Sequence, residues 1–337
     1  MDESAIRIEN GRLKASWNCL SSETLAIYLA IAEQDQRINA HSILTRALLI
    51  DTLWPGRFDS LITEEMRFGV VMTWLLGQLK RGADRYALLD RILNCASGAA
   101  DPGIPEVVRE TATWLQTDAC PIPDYVSESL MFVNPDRPES PLGELALDTF
   151  YEIWKAQLSG LTAERISVLE VACGSGNDYR GLRDSGVGSF IDYSGFDIAS
   201  KNVENARWEF PRVNFFEASI LDSGLPDGAA DYVFAHDIIG HLSREGMERA
   251  VSEIMRIARR EAWIHCYNAA EIEDHQIRPF RLYFKNRISI PRFSASCRAA
   301  GASVRVAPIS AMLRRKFNFV QDYTATSFTF IATKQGA

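Results

Sequence analysis

Two glycines and a carboxylate follow two neighbouring apolar runs of this chain, where they could contact a ligand. In the segment VLEVACGSGNDYRGL, residues 168–182, Gly174 and Gly176 let the backbone approach a ligand without a Cβ in the way. The following apolar run ends in GFD, where Asp197 can accept hydrogen bonds from both hydroxyls of a ribose. Tyr179 replaces the third glycine of a dinucleotide fingerprint, and no Walker lysine follows. The loop therefore suits an adenosine that lacks phosphate.

Three of the five histidines fall at, or just after, the carboxyl ends of predicted strands: His236, His241 and His265. Because the pKa of histidine lies near neutrality, each is a candidate general base, with His236 and His241 ahead of His265. The alternative for each is a polar residue at the rim with no proton to move.

Three further polar residues stand beside these histidines. Tyr267 and Asn268 end the strand that carries His265 and can orient a substrate, although Tyr267 can equally be packing. Asp237 can orient a histidine or bind an amine, or it can cap the following helix. We expect all three to bind substrate.

A sheet is needed to bring these residues together. Short apolar runs alternate with amphipathic segments after residue 165, and the clearest helix is predicted over 244–258. Runs that are apolar at successive positions indicate burial on both faces of an open α/β sheet, whose ligands bind beyond the carboxyl ends of its strands. The predicted strands are 166–171, 190–196, 213–216, 232–235 and 262–266.

The first part of the chain has a different pattern. A β-hairpin is predicted around Asn10-Gly11, and a helix is predicted after Ser22. Further helices are predicted at 43–53, 68–79, 86–95, 107–115 and 145–158. Five prolines between Cys120 and Pro141 indicate an extended connector. We therefore expect a helical domain over 1–125, a connector over 126–142 and a second domain over 143–337.

Composition sets wider limits. The chain has 337 residues, 47% hydrophobic and 24% charged, which fits two globular domains and excludes global disorder, collagen or coiled coil. The six cysteines form no CxxC pair, so we expect reduced thiols, no disulfide framework and no metal. The polar N-terminus and the lack of a long apolar stretch predict a cytoplasmic protein without membrane contact.

Taken together, these segments resemble the class I S-adenosylmethionine-dependent methyltransferases over roughly residues 143–337. VLEVACGSG is similar to the first motif of that family and YSGFDIASKNVENAR to the second. VNFFEASILDSGLPDGAADYVFAHDIIGHL is similar to its third and fourth segments, including the LPDG loop and Asp231. The run 327–333 agrees with an antiparallel seventh strand. The resemblance implies an α/β, Rossmann-like seven-stranded sheet, here preceded by a mainly helical domain.

The resemblance also implies S-adenosylmethionine as cofactor and gives its contacts. The residues around its methionine portion and ribose would be Glu170, Ala172, Gly174, Gly176 and Asp197. Those at the adenine would be Ile198, Ser219 and Ile220, and His236 would lie near the methionine end and the acceptor. The family often has glycine where Ala172 stands and aspartate where Ser219 stands.

The charge of the chain is uneven. Residues 276–337 contain eleven basic residues against Asp322 alone, a net charge of +10, whereas the whole chain carries −8. Arg278, Arg281 or Arg287 can bind an anionic acceptor, which we expect of one or two of them. Interleaved aromatics also suit RNA, but the acidic remainder disfavours nucleic acid. For most of this charge we expect pairing with an acidic surface of the N-terminal domain or of a second subunit.

The resemblance therefore implies methyl transfer from S-adenosylmethionine to an O, N, S or C nucleophile, which we expect to belong to a small metabolite that is anionic or aromatic. By analogy with small-molecule methyltransferases, the N-terminal helices are expected to serve as lid and dimerisation element of a homodimer. Methylation of RNA or protein, or a partner subunit that binds the cofactor without catalysis, stays open as an alternative.

Overall fold

The computed structural model describes residues 6–9, 12–15, 36–96, 98, 101–115, 144–281, 283–319 and 326–335. Near the N-terminus, β1 (Ile6–Glu9) and β2 (Arg12–Ala15) pair antiparallel, which confirms the predicted hairpin. The helix predicted after Ser22 and the proline-rich connector over 126–142 lie outside the described residues, so the domain boundary stays a prediction.

Among the described residues five helices precede the sheet, and all five were predicted. The second begins nine residues earlier than its apolar stripe suggests, because its first turns carry mixed polar residues. The helices are α1 (Ala40–Leu53), α2 (Asp59–Lys80), α3 (Arg85–Ala96), α4 (Glu106–Leu115) and α5 (Glu144–Leu158).

The remaining elements are strands and helices that alternate over much of this region, as the sequence predicts, except that five strands follow one another between residues 258 and 289. The strands are β3 (Ile166–Val171), β4 (Ile191–Asp197), β5 (Asn214–Glu217), β6 (Ala230–His236), β7 (Ala258–Cys266), β8 (Ala269–Ala270), β9 (Pro279–Phe280), β10 (Tyr283–Phe284), β11 (Ile288–Ser289), β12 (Ala302–Pro308) and β13 (Phe328–Lys334). The helices are α6 (Asn177–Asp184), α7 (Ser200–Glu209), α8 (Arg244–Ile257), α9 (Ile290–Ala299) and α10 (Ile309–Phe317).

Seven of these strands form one sheet in the order β12-β13-β7-β6-β3-β4-β5. β13 runs antiparallel to both of its neighbours, and the other pairs are parallel. The chain first builds outward from β3 to β4 and β5 and then returns to place β6 on the other side of β3. The connectivity therefore reverses at β3, and a ligand is expected beyond the carboxyl ends of β3 and β6.

Each face of the sheet is covered by its own core. On one face Val168 and Phe234 share a continuous core with Phe68 and Trp154 of the N-terminal helices. On the other face Leu169, Val233 and Ile264 pack with α8 and α9. Because side chains alternate along a strand, the even-numbered residues of β3 and β6 point towards the N-terminal helices at the carboxyl edge. Glu170 and His236 are two of them.

Two further observations concern the cysteines and the apolar character of the helices. Cys95, Cys173, Cys266 and Cys297 are free thiols, in line with the expected reduced state. No helix among the described residues is both long enough and apolar enough to cross a membrane.

Candidate active site

Asp197 occupies the carboxyl end of β4 and is held by its neighbours. Its Oδ2 accepts from the backbone N–H of Gly174 at 2.9 Å. Its Oδ1 accepts from Ala199 N at 2.8 Å and from Asn202 Nδ2 at 3.2 Å. A carboxylate offers about four lone-pair positions, so one remains for a ribose hydroxyl. The first bond also fixes the glycine loop against the end of β4.

The loop between β3 and α6 has three residues in the left-handed region of backbone space. Ala172, Gly174 and Gly176 have φ of 56°, 54° and 80°. A Cβ on Gly174 would meet nothing within 4 Å, which leaves an open cradle beside Asp197. A Cβ on Gly176 would lie 2.9 Å from the Phe210 ring, so this glycine is required by packing as well as by φ. Ala172 takes a conformation that glycine adopts without strain.

The expected adenine contacts follow β4 and β5. Ile198 is 77% exposed, a large apolar side chain open beside Asp197. Ile220 is buried, and the Ser219 hydroxyl accepts from Leu221 N at 3.1 Å. That hydroxyl keeps its proton and one lone pair for a ligand. The loop, the carboxylate and these side chains therefore fit an adenosine.

Glu170 is buried at the end of β3, and the Tyr193 hydroxyl donates a hydrogen bond to it. Burial raises the pKa of Glu170 well above its ordinary value, and the nearby Asp178 carboxylate raises it further. Glu170 therefore stays protonated over a wider pH range than a solvated glutamate does.

His236 lies between a carboxylate and a phenol. Its Nδ1 is 3.0 Å from Asp178 Oδ2, and its Nε2 is 2.9 Å from the Tyr267 hydroxyl. Asn39, which caps α1, donates to the same hydroxyl at 2.6 Å, and Ser42 of α1 donates to Asp178 at 2.8 Å. Burial lowers the pKa of His236, but the Asp178 carboxylate more than offsets this, so that the pKa lies above its usual value.

His265 is fully buried beside this pair and has hydrogen-bond partners on both nitrogens. Its Nε2 is 2.7 Å from Thr45 Oγ1 of α1, and its Nδ1 is 2.8 Å from Thr329 Oγ1 of β13. A second imidazole, His41, lies with its ring centroid 5.2 Å from that of His265 and 4.6 Å from that of Tyr267. Burial lowers the pKa of both His41 and His265 well below the ordinary value. We call His41, His236, His265, Asp178 and Tyr267 the buried histidine cluster.

His241 lies apart from that cluster, in the turn after β6. Its Nδ1 is 2.9 Å from the backbone carbonyl oxygen of Phe284, and its Nε2 is 3.8 Å from Asp237 Oδ2. The side chain of His241 is 38% exposed, and its ring packs edge-on against Tyr283. The Asp237 carboxylate raises the pKa of His241 above its ordinary value.

The segment between β7 and α9 forms the outer wall beside His241. Phe280 and Tyr283 pair across β9 and β10 and are 39% and 38% exposed. Lys285 Nζ lies 4.0 Å from the centre of the Phe280 ring, and the Arg281 guanidinium lies 5.7 Å from it. With His241 and Asp237 we call Phe280, Tyr283, Arg281 and Lys285 the rim cluster. It combines cations, aromatic surface and one titratable imidazole.

Asn286 ties this wall to the turn that carries His241. Its Nδ2 donates to Leu242 O at 2.6 Å and its backbone N–H to Gly240 O at 2.9 Å. Its Oδ1 accepts from the backbone N–H of Arg278 at 3.0 Å, and its carbonyl accepts from Asn268 Nδ2 at 3.0 Å. Arg278 itself is exposed and donates to Gln276 at 3.1 Å. Asn268 and Arg278 therefore meet at Asn286.

The later basic residues lie on other elements. Lys316, at the end of α10, donates to Thr63 of α2 at 3.2 Å, and the neighbouring Asn318 donates to Glu106 of α4 at 3.1 Å. Lys334 donates to the Ala258 carbonyl of β7 at 3.1 Å. The end of α10 thus contacts the N-terminal helices through neutral partners and one carboxylate.

The structure divides the sequence-predicted site residues into two groups. His236, His265 and Tyr267 meet in the buried histidine cluster, whereas His241, Asp237 and Arg281 meet in the rim cluster. Sequence reasoning missed Asp178 and the whole contribution of α1. The available signal was a set of polar residues at helical spacing, Ser42, Thr45 and Arg46, on the stripe where α1 must bury a face.

Comparison with known families identifies this region. Residues 168–261 match the family model of a methyltransferase domain. This match covers β3 to β7, including the glycine loop, Asp197 and His236, and the sheet closes with an antiparallel strand as expected. The chain thus contains a methyltransferase domain over these residues. The enzyme's cofactor is therefore S-adenosylmethionine, and the Rossmann-like fold predicted from the sequence is confirmed.

Solved structures with a similar fold are distant in sequence. An S-adenosylmethionine-dependent methyltransferase from Methanosarcina mazei shows 14% identity over 51% of this chain and 94% of its own, with a TM-score of 0.40. A TehB-like methyltransferase from Corynebacterium glutamicum shows 17% identity over 54% and 88%, with a TM-score of 0.38. The phosphoethanolamine N-methyltransferase 2 of Haemonchus contortus shows 14% over 54% and 52%, with a TM-score of 0.38. No curated protein matches the sequence significantly.

Within the described part of the chain, no group of three or more histidine, cysteine, aspartate or glutamate side chains is placed to hold a metal ion.

Proposed function

We propose that this methyltransferase acts on a small molecule that carries an anionic or aromatic group and is methylated on oxygen or nitrogen. The observation that carries the proposal is the rim cluster, in which His241 stands among exposed aromatic rings and the cations Lys285 and Arg281. Aromatic surface with adjacent positive charge suits an aromatic or carboxylate-bearing acceptor. When bound, S-adenosylmethionine supplies a methyl group already activated on a sulfonium sulfur.

His241 is proposed as the general base. The Phe284 carbonyl can only accept a hydrogen bond, so in the neutral ring Nδ1 carries the proton and Nε2 keeps a free lone pair. Nε2 can then take the proton of an attacking hydroxyl group, or deprotonate an ammonium group so that the free amine attacks. Asp237, 3.8 Å from Nε2, stabilises the imidazolium that results. The raised pKa of His241 means that this base becomes fully available only on the alkaline side of its ordinary range.

The other predicted site residues are given narrower roles. Asp197 and the cradle at Gly174 would hold the ribose, and Glu170, Ala172 and Gly176 would shape the loop around it. Ile198, Ser219 and Ile220 would contact adenine. His265 has both nitrogens engaged and is proposed to fix the positions of Thr45 and Thr329 rather than to transfer a proton.

The cofactor roles are tested by titration calorimetry with S-adenosylhomocysteine. We expect the wild-type chain to bind and Asp197→Ala to weaken binding at least tenfold, since the buried carboxylate and its bond to Gly174 are both lost. The matched control is Asp192→Ala on the same strand, an exposed carboxylate paired with Arg165, which should bind as the wild type does. Equal binding by wild type and Asp197→Ala would refute the role of this carboxylate.

The acceptor class is tested by transfer of a labelled methyl group from S-adenosylmethionine. Hydroxylated and amino-substituted aromatic acids are the compounds of choice. Transfer to one of them supports the proposal. Transfer to RNA instead, with binding that weakens steeply with salt, would overturn it in favour of a nucleic-acid substrate. Cofactor binding without transfer to any acceptor would favour a non-catalytic partner subunit.

The division at 126–142, the lid and dimerisation roles of the helical part and the cytoplasmic location remain predictions. Light scattering of the purified chain tests the homodimer directly.

A further inference from the structure

One imidazole nitrogen in the buried histidine cluster has no hydrogen-bond partner among the described residues. His41, in the first turn of α1, is 1% exposed, and its Nε2 is buried and unpaired. A buried polar atom without a partner costs free energy, and such atoms are rare in native proteins. Near the carboxyl edge of the sheet, where a ligand is expected, an atom of this kind indicates that the bound ligand supplies its hydrogen-bond partner.

The other nitrogen of His41 belongs to a chain of hydrogen bonds. His41 Nδ1 lies 3.3 Å from Thr329 Oγ1, which lies 2.8 Å from His265 Nδ1. His265 Nε2 in turn lies 2.7 Å from Thr45 Oγ1, one turn along α1 from His41. Each hydroxyl has one proton to donate, so the direction of one bond sets the direction of the next. The donors and acceptors of this series of hydrogen bonds can point in either of two directions. In both cases the unpaired atom is His41 Nε2.

The two directions give Nε2 different chemistry. If Thr45 donates to the His41 carbonyl, 3.1 Å away, the series of hydrogen bonds leaves a lone pair on His41 Nε2. If Thr45 donates to His265 instead, the series leaves an N–H group on His41 Nε2. Burial and the nearby His236 lower the pKa of His41, so the ring is neutral in both cases. A hydroxyl group, which both donates and accepts, satisfies Nε2 in either direction.

The position of His41 points to the acceptor rather than the cofactor. His41 contacts Tyr267 at the end of β7 and Thr329 in β13, whereas Asp197 ends β4. Two strands, β6 and β3, lie between β7 and β4, which separates their ends by about 14 Å at the usual strand spacing. His236 and Asp237 are adjacent at the end of β6, so a molecule bound there can reach both the buried histidine cluster and the rim cluster.

We propose that α1 completes the acceptor site and that His41 Nε2 hydrogen-bonds a hydroxyl group of the acceptor, distinct from the atom that receives the methyl group. His41 is a positioning residue, and the base assigned to the reaction remains His241. This inference rests on the proposed small-molecule methyltransferase function and adds to it a specific hydroxylated substrate class.

The test uses the full chain, labelled S-adenosylmethionine and pairs of aromatic acids that differ by one hydroxyl group. His41→Phe removes the nitrogen, whereas His41→Gln keeps a side chain that can donate and accept. We expect His41→Phe to raise KM for the hydroxylated member about tenfold with a smaller effect on kcat, and to abolish the preference over the deoxy member. His41→Gln should recover most of the affinity. S-adenosylhomocysteine affinity should match the wild type in both variants.

The control is Thr52→Ala at the other end of α1, where the hydroxyl only bonds back to Leu48 O within the helix. It should leave KM unchanged. If the wild-type enzyme methylates these acids and His41→Phe leaves both KM and the preference unchanged, the role of His41 is overturned and the proposed function is not. A wild-type chain that binds S-adenosylhomocysteine but methylates no member of the set would overturn the small-molecule proposal, and this inference with it.

Discussion

His236 Nδ1 lies 3.0 Å from Asp178 Oδ2, and the two residues come from the end of β6 and the first turn of α6. This pair holds a histidine with a raised pKa beside two histidines, His41 and His265, whose pKa values are lowered by burial. Asp178 therefore raises the pKa of His236, whereas burial lowers the pKa of its two neighbours.

The first prediction concerns stability in mild acid. His41 and His265 have a lower pKa in the folded state than in the unfolded state, where it is about 6.5. Their contribution to stability is present above pH 6.5 and is lost as the pH falls. Asp178→Asn removes the carboxylate that raises the pKa of His236. Burial then makes the pKa of His236 lower in the folded state than in the unfolded state, as for the other two histidines. We expect the unfolding free energy of the variant to fall more steeply between pH 7 and 5, by up to about 1.4 kcal/mol per pH unit.

Urea denaturation at several pH values measures this slope. The control is Asp192→Asn, an exposed carboxylate on β4 that should leave the slope as in the wild type. Parallel curves for Asp178→Asn and the wild type would show that the pair does not govern the titration of His236.

The second prediction concerns the rate of methyl transfer with an acceptor found by the screen. His241→Phe should lower kcat at least about 100-fold, the usual contribution of a general base. In Asp237→Asn the carboxylate that raises the pKa of His241 is gone, so the alkaline rise of kcat/KM should begin at lower pH. A pH–rate profile that is identical in the wild type and Asp237→Asn would exclude His241 as the titrating base.

Most strands of the sheet could be predicted from the sequence because each is marked by local signals. β3 is apolar at consecutive positions and is followed by a glycine loop, and both features depend only on neighbouring residues. Among these strands, the largest error lies at the start of a strand. β7 begins at Ala258, four residues before the prediction, because Arg259 and Arg260 are exposed and interrupt the apolar run. Hydrophobic patterning detects the buried part of a strand and not its solvated end.

The buried histidine cluster could not be predicted in the same way. Ser42 and Thr45 look like ordinary polar helix positions, and nothing in their spacing says that they bond to Asp178 and His265, more than one hundred residues away. Which helix covers the carboxyl edge is decided by tertiary packing. A single sequence therefore suggested the residues of the sheet side of the site and missed those of α1, including His41.

The third prediction compares two glycines of the cofactor loop. Both have positive φ, so alanine at either costs about 1–2 kcal/mol of backbone strain. At Gly176 the added Cβ also meets the buried rings of Phe210 and Phe215 at 2.9 and 3.1 Å, which adds about 1–3 kcal/mol of overpacking. We expect Gly176→Ala to lose more unfolding free energy than Gly174→Ala in urea titrations. Equal losses would mean that the Phe210 ring gives way.

Gly174→Ala should show its effect in ligand binding instead. Its Cβ enters the open cradle beside Asp197, so the affinity for S-adenosylhomocysteine should fall although stability falls less than in Gly176→Ala. Calorimetry of the two variants separates the two roles. Unchanged affinity in Gly174→Ala would place the ligand away from this cradle.

The fourth prediction concerns an ion pair that joins the helices behind the site. Arg46 of α1 and Glu65 of α2 are almost fully buried, with 2.6 Å between Nη2 and Oε1, and Trp154 donates to the other oxygen at 2.7 Å. Arg46→Met leaves a buried carboxylate without its cation and should cost about 3–5 kcal/mol. Arg46→Met with Glu65→Gln removes that charge while keeping an acceptor for Trp154, so the double variant should be more stable than Arg46→Met alone.

Chemical denaturation at neutral pH gives these free energies, with Lys155→Met as the reference for an exposed pair. Lys155 and Glu152 are 2.7 Å apart but solvated, and breaking such a pair costs less than about 1 kcal/mol. Since Arg46 follows Thr45 directly, loss of the ion pair should also loosen the bond from Thr45 to His265 and broaden the histidine resonances of the cluster in NMR spectra. A double variant that is no more stable than Arg46→Met would mean that the cost comes from lost packing of the arginine stem and not from the unpaired carboxylate.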